Sequence, residues 1–100
     1  MDHIEAINLI ATNPEIRSGR PCIAGTSIEV AAIAVAKIIH GQSPEEIASD
    51  YRLSLPQVYA ALAYYYDRKD QIDRSIKERK ALAREMWEKR VGSRHPPLSG

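Results

Sequence analysis

One hundred residues make one small domain with little room for a second core. Apolar residues are 44% and charged residues 27% of the chain, which is a folded rather than a disordered composition. The net charge of +1 hides an asymmetry: residues 1–66 carry four basic and seven acidic side chains, residues 67–100 ten basic and six acidic. An acidic body thus precedes a basic tail. The longest apolar run, Val30 to Ala36, is far short of a membrane span, so no membrane role is expected. Asp2 and Glu5 open the chain where a signal peptide would carry basic residues, and the lone Cys22 fits a reducing cytoplasm. His3, His40 and His95 lack ligand spacing, so no metal site and no cofactor is expected.

Ile4, Ile7, Leu9 and Ile10 predict a short strand or turn. Thr12-Asn13-Pro14, Ser18-Gly19-Arg20-Pro21 and Ala24-Gly25-Thr26 then interrupt the chain. Residues 21–30 read as a small β-hairpin turning at Ala24-Gly25, with Ile23, Ile28 and Val30 as strand formers. A helix is expected next, over 30–40, and is apolar nearly all round; Gly41 suits a left-handed C-terminal position. So apolar a helix in so small a domain predicts a homodimer, with Ile23, Ile28, Ile33, Val35 and Ile39 as its surface.

Two start signals come next. Ser43-Pro44-Glu45-Glu46 and Ser54-Leu55-Pro56-Gln57 each have the form of a capping box with proline in the first turn. They predict two helices, over about 44–51 and 55–68, joined by a turn at Arg52 that lacks the glycine often found there. This is the spacing of a helix-turn-helix. Ile47, Tyr51, Leu53, Val58 and Leu62 are expected between the helices, with Leu55, Val58, Leu62 and Tyr65 or Tyr66 on the inner face of the second.

If that second helix reads DNA, Ser54, Gln57, Ala61, Tyr64 and Arg68 point outward, and Arg52 joins them from the turn. Gln57 can pair with adenine, while Arg52 and Arg68 reach phosphates. The set is sparse on an acidic body, so a plain packing unit is the competing reading. Fifteen of the twenty-four residues from 67 to 90 are charged. Ile72, Ile76, Leu82, Met86, Trp87 and Val91 form a thin apolar stripe that predicts a partner-docking arm over 69–91. The tail at 92–100 is expected to be disordered. No nucleophile, paired-acid or phosphate-loop pattern is present, so no enzyme is expected.

Asn13-Pro14-Glu15-Ile16-Arg17-Ser18-Gly19-Arg20-Pro21-Cys22-Ile23-Ala24-Gly25-Thr26 resembles the opening of the domain-of-unknown-function 433 family. Gly41-Gln42-Ser43-Pro44-Glu45-Glu46-Ile47 and the stretch from Leu55 to Ala63 extend the resemblance over about residues 7–68. Ser27 stands where the family usually has arginine, and Glu29 where proline is common. The resemblance implies a mainly α domain: a short β element, then a homeodomain-like three-helix bundle over 1–68. It also implies a bacterial antitoxin paired with a PIN-like ribonuclease toxin, whose body binds operator DNA. The alternatives are a stand-alone transcription regulator and an assembly module without a DNA role.

Overall fold

Four helices and one short pair of strands make up the computed structural model. It describes residues 1–93, with side chains through residue 90. Strand β1 is Ile10–Ala11 and β2 is Cys22–Ile23; the helices are α1 (Val30–Ile38), α2 (Pro44–Tyr51), α3 (Leu55–Asp67) and α4 (Lys69–Ser93). One compact unit spans Met1–Lys69 and a second begins at Asp70. The expected tail lies outside the described residues from 94 onward.

β1 and β2 run antiparallel, with Ile10 opposite Ile23 and Ala11 opposite Cys22. The hairpin expected within 21–30 is reduced to a single bridge, Cys22 to Glu29. The cause is Thr26. Its hydroxyl donates to Ile23 O at 2.8 Å and accepts from Ile28 N at 3.0 Å, so it consumes groups a strand ladder would use. Gly25, at φ +79, occupies the third position of the Ile23–Thr26 turn, where a type II turn needs positive φ.

Ile23, Val30, Ile33, Ile47 and Val58 are the largest fully buried side chains, and α3 packs against both α1 and α2. Ile23 and Ile33 therefore belong to the core of their own unit and are corrected as dimer-surface residues. Their exposure is zero because β2 and α1 are both packed inward. Val35 and Ile28 are half-buried. Ile38 and Ile39 stay exposed at the end of α1. Past them the helix unwinds through a wide turn, with His40 N bonded to Val35 O and Gln42 N to Ala36 O, and Gly41 at φ +67.

Helices α2 and α3 begin as their sequences dictate. Ser43 Oγ accepts from Glu46 N at 3.1 Å while Glu46 Oε1 accepts from Ser43 N at 2.8 Å. Ser54 and Gln57 repeat the arrangement at 3.3 and 2.8 Å. The buried face of α3 is Val58, Ala61, Leu62 and Tyr65, the i, i+3, i+4, i+7 spacing of one helix face. Leu55, in the first turn, is exposed instead, and of the tyrosine run only Tyr65 is buried.

Between the two helices, Leu53 N bonds to Ala48 O at 2.9 Å and Arg52 N to Ser49 O at 3.4 Å, a Schellman closure. Its left-handed residue is Arg52, at φ 57 and ψ 48. An L-residue pays roughly 1–2 kcal/mol there, and glycine would lose about half of that gain to its freer unfolded chain. Arg52→Gly is expected to raise stability by roughly 0.5–1 kcal/mol in urea denaturation; Arg52→Ala, which keeps the Cβ, is expected to bring no such gain.

Candidate functional site

The segment before β2 departs furthest from regular structure. Asn13 Oδ1 accepts from Glu15 N, and Asn13 O from Ile16 N, both at 2.9 Å. The chain then makes one 3₁₀-type turn in the left-handed sense: φ is 49° at Arg17, 56° at Ser18 and 81° at Gly19. Gly19 N to Ile16 O and Arg20 N to Arg17 O close it at 3.0 and 3.1 Å. Only Gly19 adopts this geometry without a Cβ penalty.

The turn is held by its two arginines. Arg17 Nε donates to Ser27 O at 3.0 Å. Arg20 makes a forked pair with Glu29, Nε to Oε1 at 2.9 Å and a terminal nitrogen to Oε2 at 3.4 Å. Glu29 immediately precedes α1, and Val30 N bonds Pro21 O at 3.0 Å, so the turn is tied to the start of that helix. The result is a cleft of about 310 Å³ lined by Arg17, Ser27, Ile28, Glu29, Ala32 and Tyr51. In sequence, Arg17 to Gly19 reads as ordinary turn chemistry, and the cleft is not foreseen. Nothing in Arg-Ser signals a left-handed turn, and Tyr51 joins the others only through tertiary packing.

Cys22 lies beneath the turn, 4% exposed, with its thiol donating to Arg20 O at 3.4 Å. Burial pushes its pKa up and the Glu29 carboxylate adds to the rise, while Arg17 and Arg20 oppose it. Among the described residues no group of three or more His, Cys, Asp or Glu side chains can hold a metal ion, and no helix is long and apolar enough to cross a membrane.

The residues expected on a DNA-facing surface are only partly brought together. Ala61 is corrected: it is fully buried, because it shares the face of Val58 and Leu62. Ser54 is exposed and Gln57 half-buried, but they are bound to one another through the capping box, and Gln57 Oε1 takes both the backbone N–H and the hydroxyl of Ser54. Tyr64 is half-buried beneath Arg68, whose guanidinium carbon lies 4.2 Å from the ring centroid. Arg68 also pairs with Asp67 at 2.9 Å, where the backbone leaves helical geometry. Arg52 is exposed in its strained turn.

Helix α4 is a charged helix with Asp70 in its first turn and Arg90 in its last, both matched to the helix dipole. Lys89 and Glu85 pair across one turn at 3.8 Å. Leu82, Met86 and Trp87 are 55, 61 and 62% exposed. Ile76 is half-buried, and Ile72, counted with the docking stripe on its spacing, is corrected: at 7% exposure it is not available as surface. The side chain of Val91 lies outside the described residues.

The family model of a protein of unknown function, DUF433, matches residues 10–65, from β1 to the buried Tyr65 of α3. The chain belongs to the DUF433 family. Among solved structures it is similar to a DUF433 member protein from Anabaena variabilis ATCC 29413. Identity to that protein is 32%, over 70% of this chain and 69% of that one, with a TM-score of 0.62. No curated protein gives a significant match. The DUF433 segment contains the strained turn, all six cleft residues and both capping boxes; α4 lies beyond it.

The thiol supplies a test of this packing. With its pKa raised in the folded state, Cys22 keeps its proton where an unfolded chain would release it. Its contribution to stability is therefore full at neutral pH and is lost as pH rises past the unfolded thiol value of about 8.5. Native protein at pH 8 is expected to react with a thiol reagent far more slowly than urea-unfolded protein. Denaturation midpoints of the wild type should fall between pH 8 and 10 more steeply than those of Cys22→Ala.

Proposed function

We propose that this protein is a non-catalytic bacterial antitoxin, working in the cytoplasm as a homodimer. On this reading α4 is the arm that captures and neutralises a PIN-like ribonuclease toxin. The Met1–Lys69 unit is the body, in which α2 and α3 serve as a homeodomain-like helix-turn-helix on operator DNA. The observation that carries the reading is the exposure of Leu82, Met86 and Trp87 on a long charged helix. Large apolar side chains in water on such a helix are the anchors that a helix-in-groove contact uses. That α4 lies outside the DUF433 match supports a partner-specific role for it, distinct from what the family shares.

A second reading, an assembly module with no DNA role, is favoured by the α3 surface. A glutamine reads adenine with both its oxygen and its amide nitrogen. Here the oxygen of Gln57 is committed to Ser54, and the buried Ala61 removes a further contact. The stand-alone regulator, with α4 as its dimerisation arm, stays distinguishable by whether a second protein is needed.

Co-expression with the product of the adjacent reading frame tests the arm. Deleting residues 70–100 is expected to abolish capture of that product while the 1–69 unit stays folded. Trp87→Ala alone should cost about 2 kcal/mol or more in affinity, read by calorimetry. Capture that survives the deletion rejects the arm.

Operator binding needs a variant that spares the cap. Gln57→Glu retains an acceptor for Ser54 N, so stability should hold, but it loses the amide donor. It is expected to weaken a specific site by roughly 1–3 kcal/mol in fluorescence anisotropy. Arg68→Ala should instead weaken binding across sequences and flatten the salt dependence. A protein that ignores its own promoter region at low salt, with its partner present, is the assembly module.

A further inference from the structure

We propose that the cleft beside Arg17 is a binding site for the carboxylate of a small monocarboxylic ligand with an apolar body. The proposal goes beyond toxin capture and DNA binding and stands without either.

Arg17 has one end of its guanidinium engaged and the other open. Its Nε donates to Ser27 O, which fixes the group without neutralising it. Both terminal nitrogens keep their hydrogens, and among the described residues no acidic side chain is paired with them. A guanidinium held in this way presents its two terminal nitrogens end-on, a fork that matches the two oxygens of one carboxylate. The backbone that carries it is in the left-handed region at φ 49, and so is that of Ser18 beyond it. Such strain persists only where surrounding contacts over-determine it, as the Arg17–Ser27 and Arg20–Glu29 bonds do here.

Charge selects the class of ligand. The only carboxylate lining the cleft, Glu29, is 12% exposed and already forked to Arg20. Counting Arg17 and Arg20 against Glu29, these three side chains carry a net charge of +1. A monoanion matches it; a phosphate dianion would sit against Glu29 with a charge to spare. The remaining walls are mixed. Ser27 and Tyr51 bring hydroxyl groups, while Ile28 and Ala32 bring apolar surface for a short hydrocarbon chain. At about 310 Å³ the cleft lies at the lower end of the range for small-molecule sites, which suits a ligand of a few carbons rather than a nucleotide. A free acid and the C-terminal residue of a peptide share this chemistry.

Amide chemical shifts of the full chain, followed at fixed ionic strength, test the assignment. The probes are 3-methylbutanoate, N-acetylleucine, N-acetylleucinamide and inorganic phosphate. Saturable shifts confined to residues 16–20, 26–32 and 51 are expected with the first two and not with the amide. A stronger response to N-acetylleucine identifies a peptide C-terminus as the source; a stronger response to 3-methylbutanoate identifies a free acid. Arg17→Lys keeps the charge and loses the fork, and should weaken binding by about tenfold or more. Tyr51→Phe and Ser27→Ala each remove one hydroxyl, and at least one should weaken binding by about threefold; they decide the matter if Arg17→Lys does not fold. Absence of saturable shifts with either acid overturns the proposal. So does equal or tighter binding of phosphate, or unchanged affinity in every folded variant.

Discussion

Arg20 and Glu29 meet between the irregular N-terminal segment and the first helix, and much of the body's geometry hangs on that pair. Its two bonds fix the strained turn against the residue that opens α1. With Glu29 at 12% exposure, the pair is sheltered enough for its removal to be costly. Losing one partner of a buried pair leaves a stranded charge, at about 3–5 kcal/mol in the fully buried limit, and a partly exposed arginine places this pair below that limit. The same contact sets where Arg17 can reach, and it adds a carboxylate above Cys22. Cleft shape, thiol protonation and the start of α1 are thus not independent properties.

The features legible in the sequence are local ones. Ser43 with Glu46 and Ser54 with Gln57 declare helix starts because each box closes within three residues. Gly25 and Gly41 mark positive φ because no side chain opposes it. The absent glycine at Arg52 is legible as a departure, and the chain does adopt the left-handed turn there. The hidden features depend on contacts between distant residues. β2 has its main partner at Ile10–Ala11 rather than in its own hairpin, a choice that Thr26 makes by side-chain hydrogen bonding. Ala61 reads as outward because alanine carries no polarity signal of its own; its neighbours Val58 and Leu62 decide its face. Ile33 reads as partner surface because α1 is apolar all round, and such a helix does not announce which side meets its own core; Ile23, in β2, is buried through a pairing with Ile10 that its own segment does not display.

The DUF433 match ends at residue 65, and the helix that carries Leu82, Met86 and Trp87 begins after it. The two parts differ in kind. The body buries Ile23, Ile33, Ile47 and Val58 in a core, leaves Ile38, Ile39 and Leu55 exposed, and has its irregular backbone pinned by named bonds. Helix α4 is mostly charge, with apolar residues left in water. A family defined by the body and elaborated by a helix beyond it would keep one recognition surface in common and vary the other. Exposed anchors can change at little cost to folding, whereas in this chain Arg20, Thr26 and Glu29 hold the backbone of the body through their side-chain bonds.

The Schellman turn and the second capping box adjoin without a spacer, since Leu53 closes α2 and Ser54 opens α3. Every bond that closes this corner spans five residues or fewer. The Ile10–Ile23 pairing spans thirteen and the Arg17–Ser27 bond ten. Short closures lose little chain entropy and form early, while longer ones wait for a scaffold. The helical corner is accordingly the part whose closure asks least of the rest of the chain. The cleft around Arg17 depends instead on pairings between more distant residues, so its shape is set only when the turn, β2 and the start of α1 are together.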